Sequence, residues 1–231
     1  METGLRGQQT GGEHLFEHLL AALDAGHLAA NERTFHKGEI VFHQGEPGNS
    51  LHLVRQGMFA IRASSPSGVA LIVDILVPGD VFGEFAVFSN QRRRTTAVEA
   101  LSAGTTLAVQ RDQLRAAIGF RPQLAEELIA TIIGKAESTT QRLVEMLNVP
   151  AELRVLRALL SMSTRGEVSS PVRLTQEELA SFAATTRPTA NRVLREEEER
   201  GTVELSRGQV IIIDRQRLAA RVGVDPERRQ T

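Results

Sequence analysis

The stretch PGDVFGEFA at residues 78–86, followed by RTTA at residues 94–97, decides how the rest of the chain is interpreted. Gly83 has no side chain, so backbone N–H groups beside it can approach an anion closely. Arg94 can donate two hydrogen bonds to phosphate oxygens, and Glu84 can accept one from a ribose hydroxyl. These three groups together predict a site for a cyclic phosphodiester.

Two further stretches, FHKGEIVFHQGEPGNS at 35–50 and LTQEELA at 174–180, extend the pattern. With them, the chain resembles the CRP/FNR family of bacterial transcription regulators, whose phosphate-binding cassette reads F-G-E-(L/F)-A and then R-(S/T). The resemblance covers nearly the whole chain, in the family's order. It implies an α+β fold with an N-terminal β-roll (a cyclic-nucleotide-binding jelly roll), a long dimerisation helix and a C-terminal winged helix-turn-helix.

Local patterns agree with this order and give the predicted boundaries. Residues 1–13 are rich in Gly and Gln and are predicted to form a flexible tail. Helical spacing of leucines from His14 and then short β-rich segments separated by Gly, Pro and Asn predict a β-roll domain over 14–121. The predicted strands cover 40–42, 51–54, 59–61, 69–76 and 105–109.

The longest helical pattern, over 122–147, is predicted to be the dimerisation helix. Its apolar residues are Leu124, Leu128, Ile132, Leu143 and Met146. Such a stripe fits packing against the chain's own β-domain, whereas the resemblance implies a coiled coil across a two-fold dimer. Pro150 disfavours helix at the residue before it, so the inter-domain hinge is placed at 148–150.

The segment 151–231 is predicted to be a winged helix-turn-helix domain. Thr175 is a candidate N-cap, and Glu178 three residues later completes a capping box. Pro188 is tolerated in the first turn of the next helix, since that N–H has no intrahelical partner. Strand, turn and strand follow over 203–213 and form the predicted wing.

The resemblance assigns a cyclic-nucleotide site to the cassette and to the long helix. Arg94 would neutralise the cyclic phosphate with help from Thr95, and Glu84 would hold the ribose 2′-OH. A Thr139–Thr140 pair lies where the family's cyclic-AMP receptor has two hydroxyls near the adenine, which favours cAMP. Threonines on a helix also often bond only their own backbone, and Thr95 keeps cGMP open as effector. The predicted ligand-binding residues are Gly83, Glu84, Phe85, Ala86, Arg94, Thr95, Thr139 and Thr140.

The recognition helix is expected to present polar residues to base edges in the major groove. Arg187 and Arg192 match the family's two base-reading arginines, each able to bind guanine O6 and N7. Pro188 departs from the family, because many members have there a Glu that accepts from cytosine. The predicted DNA-binding residues are Thr186, Arg187, Pro188, Thr189, Asn191 and Arg192, with phosphate contacts from Thr175, Gln176 and Arg207.

Composition excludes several classes of function. The chain of 231 residues contains no cysteine, which removes disulfides, thiolate zinc sites and cysteine-ligated iron–sulfur clusters, and hence the oxygen-sensing branch of the resembled family. No apolar run approaches the roughly 18 residues of a membrane span, so the protein is expected to be cytoplasmic. The net charge of −1 leaves DNA binding to a local basic face. The six histidines are interpreted as surface residues, and the acidic run 196–199 as a solvated helix face.

These observations predict a homodimeric, cyclic-nucleotide-responsive, sequence-specific DNA-binding transcription regulator, with cAMP favoured and no cofactor. Palindromic double-stranded DNA and RNA polymerase are the expected partners. No catalytic set is evident, so the chain is not expected to be an enzyme. Two alternatives stay open: a regulator of the same type that binds DNA without a cyclic nucleotide or senses cGMP or another effector, and a nucleotide-sensing regulatory subunit that does not touch DNA.

Overall fold

A computed structural model describes residues 7–64, 70–165 and 172–223. Two compact units make up the chain: one of residues up to 69 and from 73 to 141, and a second of 70–72 and the residues from 142 on. In the described parts of the chain, no helix combines the length and the hydropathy needed to cross a membrane.

The first unit is built on short antiparallel strands. They are β1 (Asn31–Phe35), β2 (Ile40–Phe42), β3 (Ser50–Gln56), β4 (Phe59–Ser64), β5 (Ala70–Leu76), β6 (Val81–Phe82), β7 (Ala97–Ala100) and β8 (Gly104–Gln110); residues 70–72 of β5 belong to the second unit. They form two four-stranded sheets in the described residues, with the orders β1-β8-β3-β6 and β2-β7-β4-β5. The β-roll predicted from the sequence is therefore confirmed.

Both faces of the first sheet are covered. Aromatic side chains fill the space between the two sheets, with Phe35, Phe59 and Phe82 almost fully buried. Helices cover the other face and bury Leu51 and Leu53 of β3. These helices are α1 (Gly7–Asp24), α3 (Arg111–Phe120) and α4 (Gln123–Asn148); a short helix α2 (Glu84–Phe88) follows β6. Because β3 is buried on both faces, its polar residues must find partners inside the unit.

Helix α1 begins at Gly7, so residues from Gly7 onward within the predicted tail are helical. Residues 1–6 of that prediction lie outside the described residues. Helix α4 agrees closely with the predicted dimerisation helix and ends at Asn148, two residues before Pro150. Its last turns belong to the second unit, in which Arg142 donates from Nη2 to the carbonyl of Phe182 at 2.6 Å.

Helix α4 has two apolar faces, and the residues of the predicted dimer stripe do not all lie on one of them. Leu124 and Leu128 are buried in the core of the first unit, as the alternative interpretation of the stripe expected. A second face carries residues at alternating spacings of four and three, and these side chains are exposed. They are Ile129, Ile133, Ala136, Thr140, Leu143 and Leu147, called here the α4 seam.

The second unit has the predicted winged helix-turn-helix. Its elements are α5 (Ala151–Arg165), α6 (Gln176–Phe182), α7 (Arg187–Glu199), β9 (Val203–Ser206), β10 (Gln209–Ile212) and α8 (Arg215–Arg221). The capping box is present, since Thr175 Oγ1 accepts from Glu178 N at 3.2 Å and Thr175 N donates to Glu178 Oε2 at 2.6 Å. Pro188 lies in the first turn of α7, and Thr186 caps that helix.

Candidate ligand pocket and nucleic-acid interface

The cassette places Arg94 between two glycines. Gly83 precedes α2 with φ of 89°, a backbone conformation that glycine adopts without strain. A Cβ at Gly83 would lie 2.6 Å from Arg94 Nη1, and a Cβ at Gly48 would lie 2.6 Å from Arg94 Nε. The guanidinium occupies this position only because both side chains are missing.

Arg94 is buried, with 6% of its surface exposed, whereas the neighbouring Arg92 and Arg93 are exposed. Its Nη1 donates to the carbonyl oxygens of Ser50 and Gly83 at 2.9 and 3.1 Å, and its guanidinium lies 4.0 Å from the ring centroid of Phe42. Burial lowers the pKa of Arg94 to about 10, which leaves the group positively charged at neutral pH. A buried cation of this kind suits an anionic ligand.

Glu84, the residue after Gly83 in the cassette, is also buried, with 2% of its surface exposed. One carboxylate oxygen, Oε1, accepts from Lys135 Nζ of α4 at 2.8 Å, and the same ammonium donates to the carbonyl of Val81 at 2.6 Å. The other oxygen, Oε2, is buried without a hydrogen-bond partner among the described residues, as is Arg94 Nε. A buried acceptor and a buried donor left open in one cassette are what a ligand with a hydroxyl and an anion would satisfy.

A series of hydrogen bonds between buried polar side chains connects Arg94 to the interior of the first unit. Arg94 Nη2 donates to Ser50 Oγ at 3.0 Å, and the hydroxyl of Ser50 lies 3.1 Å from His52 Nε2. The other ring nitrogen, Nδ1, lies 3.1 Å from Thr106 Oγ1, so a neutral His52 ring can donate to one of the two hydroxyls and accept from the other. His52 stacks on Phe82 with ring centroids 4.9 Å apart.

His52 corrects the interpretation of the histidines as surface residues, because it is only 1% exposed. Burial, and then the charge of Arg94, lowers the pKa of His52 to about 3, so the ring is neutral at physiological pH. The alternation of His52 with Leu51 and Leu53 in a short strand was the available sequence signal. Lys135 carried no such signal, since it lies on a different element from Glu84.

The remaining predicted ligand-binding residues are not part of the hydrogen-bonded group around Arg94 and Glu84. Ala86 is buried beside Gly48, whereas Phe85 is 43% exposed and Thr95 is exposed. Thr139 and Thr140 are exposed on α4, where their hydroxyls donate to the carbonyls of Lys135 and Ala136 at 2.8 and 2.9 Å. Such bonds are those expected of threonines that serve their own helix. Thr140 additionally belongs to the α4 seam.

Four of the predicted DNA-binding residues lie together on one face of the second unit. Thr175, Gln176, Arg187 and Arg207 line a single groove between the start of α6, the start of α7 and the wing. Thr186, Pro188 and Asn191 are exposed, and Thr189 is half-buried. The hydroxyls of Thr186 and Thr189 lie 2.9 Å apart, which orders the first turn of α7. The face therefore combines hydroxyls, amides and guanidinium groups, the groups that bind nucleic acids.

The two candidate base-reading arginines have different surroundings. Arg187 is exposed, and no carboxylate of the described residues lies within 4.0 Å of it. Arg192 is held by two carboxylates, Glu152 Oε1 at 2.7 Å from Nη2 and Glu196 Oε1 at 2.8 Å from Nη1. Nothing in the sequence pattern indicated the pairing with Glu152.

The acidic run at the end of α7 is only partly solvated. Glu197 is fully buried and ion-paired with Arg200 at 2.8 Å and with Arg221 of α8. Its second oxygen accepts from Thr202 Oγ1 at 2.7 Å. The interpretation of the whole run as a solvated face is thus wrong at Glu197, which ties the end of α7 to α8 and the start of the wing.

Two segments of the chain match known domain families. Residues 32–119 match the cyclic nucleotide-binding domain, and residues 153–221 match the Crp-like helix-turn-helix domain. A CRP-like cAMP-activated global transcriptional regulator of Mycobacterium tuberculosis is 31% identical over 193 residues, which cover 81% of this chain and 86% of that protein.

Two further similarities extend over most of the chain. The cyclic AMP receptor protein of Thermus thermophilus is 30% identical over 178 residues, covering 77% of this chain and 82% of the relative. The structure of FixK2 from Bradyrhizobium japonicum superimposes with a TM-score of 0.76 at 25% identity and covers 86% of this chain and 98% of that one.

Proposed function

Because the chain belongs to the CRP/FNR family of transcription regulators, we propose that it is a homodimer whose sequence-specific DNA binding is controlled by cAMP. The observation that carries the proposal is the pair of open buried atoms, Arg94 Nε and Glu84 Oε2. In a folded interior such groups normally have partners, and leaving one without a partner costs about 1–3 kcal/mol. A cyclic phosphate and a ribose hydroxyl supply the missing acceptor and donor.

The ligand is proposed to bind with its phosphate at Arg94 and Gly83 and its ribose at Glu84. Lys135 holds the first oxygen of Glu84, so the second stays directed to the ribose as an acceptor. Thr95, Phe85 and Ala86 line the same cassette, with Thr95 as a further donor to the phosphate. The mycobacterial relative is described as cAMP-activated, which favours cAMP over cGMP for this chain.

The α4 seam supports the proposed homodimer. Ile129, Ile133, Leu143 and Leu147 are 57%, 51%, 56% and 76% exposed, an apolar stripe that a single α4 leaves in water. Alternating spacings of four and three are those of a coiled-coil seam, so a second copy of α4 is the partner that fits it. Thr140 lies in this seam, where a hydroxyl from each copy would approach the purine of a bound nucleotide.

DNA recognition is proposed to use α7 and the wing. Arg187 and Arg192 are proposed to read guanines, while Thr175, Gln176 and Arg207 are proposed to bind phosphates. Thr186, Thr189 and Asn191 would contribute polar contacts at the start of α7. Pro188 cannot accept from cytosine N4, so the base pair that faces it is expected to differ from the one that a Glu would select. RNA polymerase is the proposed protein partner.

Control by the ligand requires that cAMP bind the DNA-competent arrangement more tightly than the resting one. Helix α4 gives a physical route, because it carries both Lys135, which contacts Glu84, and the seam that joins two copies. The predicted hinge at 148–150 is where the recognition helices are proposed to be reoriented.

The direct test is calorimetric titration of the purified protein with cAMP and with cGMP, using Arg94→Ala as the matched variant. Binding of cAMP to the wild type, with loss of binding in a variant that remains folded by circular dichroism, supports the pocket. An Arg94→Ala protein with wild-type affinity would overturn it. Absence of binding of either nucleotide, with DNA still bound, would instead support a regulator that does not use a cyclic nucleotide.

A further inference from the structure

Arg192 is ion-paired with two carboxylates of its own domain. Its two terminal nitrogens donate to different carboxylates: Nη2 to Glu152 of α5 at 2.7 Å, and Nη1 to Glu196 one turn later on α7 at 2.8 Å. These are the donors with which an arginine binds guanine O6 and N7 or two phosphate oxygens. Arg192 therefore has to exchange at least one carboxylate before it can bind DNA.

Glu152 holds this position through the fold of the second unit. Helix α5 begins at Ala151, directly after Pro150, so Glu152 stands in its first turn. Buried side chains on α5 and α7, Val155 and Leu156 on one and Val193 on the other, hold the two helices in the domain core. Glu152 can thus reach the recognition helix although it is forty positions away in sequence.

Both partners are held in their charged forms. The pKa of Glu152 is lowered by its own backbone N–H and by the hydrogen bond from Arg192, and the pKa of Arg192 is raised by Glu152 and then by Glu196. The side chains are about half exposed, so water and DNA can compete for them. The pair is therefore a weak and exchangeable contact, unlike the buried pairs of Glu197.

We propose that Glu152 is a specificity-determining residue, which keeps Arg192 from binding phosphates on non-cognate DNA and releases it to a guanine at the cognate site. The inference rests on the proposed DNA-binding function of α7. A phosphate offers Arg192 only what the carboxylate already provides, and it brings a second negative charge toward Glu152. A guanine offers two neutral acceptors in a fixed geometry, which compensates for the exchange.

The test compares the wild type with Glu152→Gln on two DNA duplexes of equal length in the presence of cAMP. One duplex is selected by the wild type from a random library, and the other has the same base composition in scrambled order. Glu152→Gln is expected to bind the scrambled duplex more tightly than the wild type does. Its affinity for the selected duplex is expected to rise by a smaller factor, so the ratio of the affinity for the selected duplex to that for the scrambled duplex falls.

The expected gain in affinity for the scrambled duplex can be estimated from counterion release. Each phosphate that a protein neutralises changes the slope of log K against log salt by about −0.9, so a phosphate bound by one Arg192 strengthens binding roughly eight-fold at 0.1 M salt. The slope on the scrambled duplex is expected to steepen by about 0.9 for each Arg192 that binds a phosphate in the variant and not in the wild type.

Two further variants separate this effect from general charge. Glu199→Gln removes one exposed negative charge from the same helix and is expected to leave both affinities close to those of the wild type. In an Arg192→Gln background, Glu152→Gln is expected to change neither the salt slope nor the affinity ratio. An unchanged affinity ratio for Glu152→Gln, or tighter binding that persists without Arg192, would overturn the proposal. Failure of the wild type itself to bind either duplex would refute the proposed function instead.

Discussion

Replacing His52 by Gln is expected to remove a distinct part of the pH dependence of stability. His52 lies inside the β-sandwich between Ser50 Oγ and Thr106 Oγ1, at 3.1 Å from each, and stacks on Phe82. Burial and the charge of Arg94 lower the pKa of the ring from 6.5 to about 3. A glutamine can accept from Ser50 and donate to Thr106, but it does not titrate.

The sign and size of the contribution of His52 to the pH dependence of stability follow from proton linkage. Between pH 6.5 and 3 the unfolded chain binds a proton at this histidine and the folded chain does not, so the contribution is complete above pH 6.5 and is lost as the pH falls. With these two pKa values, lowering the pH from 7 to 5 removes about 2 kcal/mol of stability through His52 alone.

Hydrogen exchange on peptides that cover β3, measured at pH 7 and pH 5 and corrected for intrinsic rates, reports the opening free energy of the sandwich. The wild type is expected to lose about 2 kcal/mol more than His52→Gln between these pH values. His43→Gln, which removes an exposed histidine, serves as the control and is expected to follow the wild type. Equal pH dependence in the wild type and His52→Gln would refute the argument.

Three other variants test separate parts of the molecule. Ile133→Glu places a carboxylate in the α4 seam and is expected to convert dimer to monomer in light scattering; a persistent dimer would show that the seam is not the interface. Glu197→Gln weakens the buried pairs with Arg200 and Arg221 and is expected to cost about 1–3 kcal/mol in urea denaturation, while an unchanged midpoint would contradict their role. Thr140→Val is expected to weaken cAMP binding by about 1 kcal/mol, roughly five-fold in calorimetry, through loss of one hydroxyl contact, and undiminished affinity would exclude that contact.

Much of the architecture could be predicted because local chemistry and global fold agree. The capping box of Thr175 and Glu178, the proline in the first turn of α7 and the strand–turn–strand of the wing each have a local signature. The cassette is equally local, since Gly83 and Arg94 lie in one short stretch. These signals act within a few residues and need no tertiary information.

Several elements were not predicted, and two of them have no local signature in the sequence. Strand β1 shows no alternation, since only Phe35 among its residues is buried, and β6 has just two residues. Helix α8 was also not anticipated, although Asp214 caps it. The predicted stripe on α4 combined residues of two apolar faces, because helical spacing alone does not reveal which face, that of Leu124 or that of Ile129, meets the chain's own sheet.

The contacts that complete the two sites are long-range. Lys135 reaches Glu84 from another element, and Glu152 reaches Arg192 from a different helix of the domain. Both pairs join charged residues that are ordinary surface types in the sequence. Their pairing becomes evident only when the packing of α4 and α5 is known.

The central claim is that cAMP controls DNA binding through the pocket around Arg94. The most direct test measures the affinity of the wild type and of Arg94→Ala for a duplex selected by the wild type, with and without saturating cAMP. We predict a large increase in affinity on adding cAMP to the wild type and no change for Arg94→Ala. An affinity of the wild type that is the same with and without cAMP would contradict the claim.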